Sequence, residues 1–156
     1  MNIFVLDEDP IVAASYYCNE HMKIILEIAQ MLCTTSWSFS VSAPYKKTHV
    51  NHVVSKWVRE TIDNYNWTVI HGLAIAKQYT LRYNKIHKSQ AIIEWCRDNG
   101  GKPINTGLTP FAQAMPDIYR NKNAVIAYRN FYIHEKSKFA TWEPRTLKPD
   151  WVKTDK

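Results

Sequence analysis

The sequence carries no P-loop, GxGxxG, GxSxG, HExxH or HxE…PCxxC deaminase pattern. The residues left to do chemistry are therefore carboxylates, cations, histidines and aromatics. Cleaving an N-glycosidic bond needs little more. A carboxylate stabilises an oxocarbenium-like sugar or directs a nucleophile, cations hold phosphates, and flat rings receive an unstacked base. Glu27 is the first carboxylate candidate and Glu60 the second, each weighed against the ordinary reading of a solvated charge on a helix face. The α-amine of Met1 is a nucleophile if the first segment ends inside a cleft. Arg82, Lys88, Arg129 and Lys136 are the candidates for phosphates, and Trp37 and Trp57 for base stacking.

A second constellation lies in residues 67–88, WTVIHGLAIAKQYTLRYNKIHK. At about 100° per residue this stretch is apolar on almost every side, as a central helix should be. Set into it are His71, Gln78 and Arg82, within about 40° of one another by the helix period. Buried polar groups need partners, so the stripe either meets polar groups on a neighbouring helix or lines a nucleotide-binding cleft. Lys122, Arg129 and Lys136 recur every seven residues, which would align three cations about 10 Å apart on one helix face. A solvated basic face is the plain alternative. His49 and His52 lie three apart but have no carboxylate or cysteine close by in sequence. Cys18, Cys33 and Cys96 are odd in number and lack zinc spacing. Neither a metal nor another cofactor is expected, and free thiols in a reducing cytoplasm are the simplest account.

These residues need a scaffold. A chain of 156 residues, 46% hydrophobic and 22% charged, is expected to form one domain over 1–156, with a tail at 141–156 wrapping the surface. Only four glycines are present, which favours long helices over a turn-rich β fold. The reading is mainly α: a single-domain bundle of about five helices behind a short extended segment at Asn2–Leu6. Asp9 and Pro10 open a first helix expected to run to Cys33, with Lys23 and Glu27 as an i,i+4 pair. Further helices are expected over about 53–65, through the central stretch, over 88–99 and over 123–139. Residues 34–50 form the longest irregular segment, either a binding loop or a connector. A net charge of +6 and 13% aromatic residues favour an anionic partner, DNA or a nucleotide. No apolar run is long enough for a membrane span, and the N-terminus does not read as a signal peptide.

The succession MNIFVLDEDP, CNEHMKIILEIAQML, KWVRETIDNYNW, YTLRYNKIHKS, TGLTPFAQAMP and AYRNFYIHEKSKFATW resembles small phage-encoded proteins whose function is mostly unassigned. It is also similar, in less specific features, to the pyrimidine-dimer DNA glycosylases of the endonuclease V type. Those features are Glu20–His21 followed by Glu27, the basic aromatic stretch Tyr79–Lys88 with Glu94–Trp95–Cys96 beyond it, and the aromatic, basic region around Trp142. The resemblance implies a small helical enzyme that uses an N-terminal amine and a glutamate on its first long helix. Two departures put the lyase step in question. The family needs a small second residue so that Met is removed, whereas Asn2 should leave Met1 in place, and the His21–Glu27 spacing departs from the family's. The leading expectation is a DNA-binding N-glycosylase/lyase acting on damaged or modified bases. The alternatives are a non-enzymatic binder of a nucleotide or nucleotide-derived signal at His71, Gln78 and Arg82, and an interaction protein that blocks a host factor through the loop at 35–50.

Overall fold

The protein is an all-α, single-domain structure. The computed structural model describes residues 1–153, so the end of the tail expected over 141–156 lies outside the described residues. Among these, six α-helices follow in order: α1 Pro10–Ser15, α2 Ile24–Ser38, α3 Val53–Val58, α4 Ile62–Tyr83, α5 Gln90–Asn99 and α6 Ala124–Phe131. The central helix is α4, packed by α1, α2 and α5. Helices α2 and α5 close onto it at Gly72, where an added Cβ would stand 2.7 Å from Ile28 Cγ2 and 3.0 Å from Ile93 Cδ1. Burial is not all-round, however. Asn66, Ile70, Lys77 and Leu81 form a stripe of α4 left open to solvent.

The helix expected over 10–33 is broken in two. Asp9 caps α1, accepting from the Ile11 and Val12 amides, and Pro10 fills the first helical position. The chain then leaves the helix, turns extended at Cys18 (ψ 162°) and makes one 3-10 turn at Asn19–His21 before α2 begins. Tertiary partners hold the break open. The Tyr17 carbonyl accepts from Arg82 Nη1 at 2.6 Å, and the Tyr17 hydroxyl donates to the Ile3 carbonyl at 2.6 Å.

Asn2–Leu6 pairs with no strand among the described residues. Its shape comes from side chains. The Asn2 carboxamide oxygen accepts the Ile3 and Phe4 amides at 2.8 and 3.1 Å, and its nitrogen donates to the Ala114 carbonyl at 3.0 Å. Phe4 sits at φ +29°, a backbone conformation that a bulky residue keeps only when its surroundings over-determine it. Here they do: its ring stacks on His21 at 4.5 Å and meets Tyr132 edge-on at 5.2 Å.

Three other boundaries move. Helix α3 stops at Val58 because Thr61 caps a fresh start, its hydroxyl accepting the Asn64 amide at 3.0 Å. Helix α2 continues to Ser38, which shortens the irregular segment expected from 34. Helix α6 ends at Phe131 and passes into a π-helical turn, Tyr132–Lys136, instead of running to 139. The described part of the tail is pinned by Trp142, which is buried and donates from Nε1 to the Tyr16 carbonyl at 2.8 Å.

Candidate active site

The first turn of α2 presents Glu27, and the N-terminal segment returns to it. The Met1 α-amine lies 3.2 Å from Glu27 Oε1. The Met1 side chain is buried, whereas the Glu27 side chain keeps 23% exposure, so the pair sits at the surface end of a buried segment. Its direction follows from the Asn2 turn and from Ile3–Leu6, all buried, which carry the chain inward behind Met1.

His52 caps α3 nearby. Its Nδ1 accepts the Val54 amide at 3.1 Å, which places the ring proton on Nε2. Burial, the Met1 amine and His49 hold its pKa below the usual histidine value, against the pull of Glu27. The carboxylate and the primary amine are in contact, and the His52 imidazole lies near enough to feel both charges. Proton transfer from the ammonium to Glu27 would free a lone pair for attack on an electrophilic carbon. The same carboxylate can face a developing positive charge. Among the described residues, no group of three or more His, Cys, Asp or Glu side chains is gathered closely enough to hold a metal ion.

The stripe His71, Gln78, Arg82 serves the interior. His71 is fully buried, with Nδ1 2.8 Å from the Pro10 carbonyl and Nε2 2.7 Å from the Ile3 carbonyl and 2.8 Å from the Tyr17 hydroxyl. Burial lowers its pKa to about 4, against the opposing pull of those two carbonyls. Arg82, also buried, donates to the Tyr17 carbonyl, to Asn19 and to Gln78 Oε1 at 3.2 Å. Of the two alternatives for this stripe, the geometry is the contact with neighbouring elements.

The other candidates separate. Arg129 donates from Nε to the Leu6 carbonyl at 2.8 Å and stands over the Trp151 ring at 5.0 Å, so its guanidinium clamps the N-terminal segment to the tail. Lys136 lies over Phe131 at 4.9 Å in the π-helical turn, and Lys122 precedes α6, so the seven-residue stripe does not lie along one α-helix. Trp57 is 3% exposed and packs against Trp67 and Phe111. Glu60 is exposed just beyond α3. Two candidates stay on the surface near α2: Trp37, 38% exposed with Nε1 donating to the Tyr45 carbonyl at 2.9 Å, and Lys88 at the α4–α5 corner.

Sequence reasoning passed over Asn2 as a turn-former and His52 as a cap, although an Asx turn and a cap ahead of VVSKWV are local signals. His21 is buried, and its Nδ1 hydrogen-bonds the Tyr132 hydroxyl. Glu20 is a strap: its two oxygens accept the Thr141 amide at 2.8 Å and the Thr141 hydroxyl at 2.6 Å. No family model, no curated protein and no solved structure matches the chain. Among the described residues no helix is long and apolar enough to cross a membrane.

Proposed function

We propose that the protein is a DNA N-glycosylase/lyase acting on damaged or modified bases, with the Met1 α-amine as nucleophile and Glu27 as its carboxylate partner. The observation that carries this reading is the 3.2 Å contact between the two. Residues 26 positions apart in the chain meet in a half-buried ion pair, with the Met1 side chain buried and the Glu27 side chain 23% exposed. Glu27 takes the amine proton. The amine nitrogen then bonds to C1′ of the nucleotide as the C1′–N glycosidic bond breaks, and the base leaves with the bonding electrons and the proton that Glu27 took up. Sugar-ring opening gives an imine, and loss of a C2′ proton from it expels the 3′ phosphate. His52, whose Nδ1 already accepts the Val54 amide, would donate from Nε2 to a sugar or phosphate oxygen. The basic net charge supports a polyanionic substrate in a cytoplasmic setting.

Borohydride trapping on ultraviolet-irradiated and untreated duplex DNA tests the proposal, with strand cleavage read on the same gel. A covalent adduct on irradiated DNA that disappears in Glu27→Gln is the expected result. Absence of both adduct and cleavage on either substrate sinks the lyase mechanism.

A further inference from the structure

Beside Glu27, the outer face of α2 borders a groove of about 300 Å³ lined by Leu26, Gln30, Tyr45, Lys46, Thr48 and Lys88. Gln30 follows Glu27 by about one helical turn and lies on its side of α2, while Leu26 is about 100° round the helix, so the groove flanks the ion pair. The loop that forms the far wall is fixed. Thr34 Oγ1 donates to the Thr48 carbonyl at 2.9 Å and accepts the Thr48 amide at 3.0 Å. The Tyr45 hydroxyl is 2.9 Å from Ser89 Oγ, tying the loop to the start of α5.

The charge of the groove is unbalanced. Lys46 from the loop and Lys88 from the α4–α5 corner converge on it, no carboxylate lines it, and neither lysine forms an ion pair among the described residues. Two other grooves contain a carboxylate beside their lysine, Glu8 with Lys122 and Glu143 with Lys148. A third is lined by Arg120 and Lys122 without a carboxylate, but it has no aromatic side chain against which a base could lie. Two lysines lining one groove with no carboxylate among its lining residues give it a positive potential that favours an anion. The volume lies at the small end of ligand pockets and fits one nucleotide, not a longer segment.

We infer that this groove binds a single nucleotide of a DNA strand, with its phosphate between Lys46 and Lys88 and its base against Tyr45 and Leu26. Gln30 stands at the base edge, where its carboxamide can both donate and accept. The inference rests on the DNA reading of the neighbouring Met1–Glu27 pair and assigns the nucleotide next to the one attacked.

The test uses fluorescence anisotropy of the full chain with a labelled duplex carrying one abasic site, titrated over a range of salt. Lys46→Ala/Lys88→Ala should weaken binding about tenfold and flatten the log–log salt slope by about 1, the one phosphate that the two lysines share. Lys56→Ala/Lys85→Ala removes the same net charge from exposed positions outside the groove and should do neither. Equal losses in the two pairs, or no binding by the wild type, overturn the inference. Borohydride trapping on the same duplex separates the two readings. Trapping by the wild type with no slope change specific to Lys46 and Lys88 removes the groove and keeps the enzyme. A specific slope change without trapping keeps the groove and removes the lyase.

Discussion

Asn2 and Ala114, 112 residues apart in the chain, are joined by a 3.0 Å hydrogen bond from the Asn2 carboxamide to the Ala114 carbonyl. The same side chain accepts two amides of its own segment, so one residue both turns the N-terminus and anchors it. Asn2→Ala removes all three bonds and should cost about 1–2 kcal/mol in urea unfolding. Asn2→Asp keeps the acceptors and should lose less. If the Met1 amine is the nucleophile, trapping by folded Asn2→Ala should fall well below that by the wild type.

Gly72 is where three helices touch. Gly72→Ala should destabilise by about 1–3 kcal/mol, because the new Cβ presses on Ile28 Cγ2. Pairing it with Ile28→Leu, which lacks that β-branch, should cost less than the sum of the single changes. Strict additivity in a double-mutant cycle would disprove the contact.

Acid should weaken the fold through His71 and His21. Burial lowers both to about 4, and for His21 the charges of Lys136 and Lys23 add to the effect. Each histidine is neutral in the folded protein and takes up its proton more readily when unfolded. Stability is therefore full above the unfolded value of about 6.5 and is lost as pH falls from there towards 4, by up to roughly 3 kcal/mol per ring. Urea midpoints between pH 7 and 4.5 report this, and His71→Gln should flatten the decline.

Two tryptophans considered together in the sequence should behave differently. Trp57→Ala empties a buried aromatic site and should cost about 3–5 kcal/mol. Trp37→Ala, at the surface of α2, should stay within about 1 kcal/mol. Any loss of DNA binding by Trp37→Ala is then a surface effect and can be read without correction for unfolding.

Much of the scaffold was legible in local sequence. Asp9–Pro10, Gly100 after α5 and the apolar period of α2 and α4 are short-range signals, and each element is present. The break between α1 and α2 was not legible, because it depends on Arg82 reaching the Tyr17 carbonyl from 65 residues away. The same limit applied to the site. Glu27 and Met1 could be named by type, but their meeting depends on Asn2 finding Ala114. Arg129 looked like a surface cation because a seven-residue repeat carries no information about Leu6 or Trp151. A polar stripe on an apolar helix fits a ligand site and an internal hydrogen-bond ladder equally well. Only the neighbours' carbonyls decide between them.

The ion pair at Met1 also bears on how the protein must be made. An acetyl cap or a purification tag fused ahead of residue 1 would turn that amine into an uncharged amide. Glu27 would lose its counter-ion and the chain its only primary amine at this position. If the Met1 amine is the nucleophile, material for the trapping assay calls for an affinity handle on the carboxyl end. An amino-terminally tagged preparation should then give no borohydride adduct on any substrate.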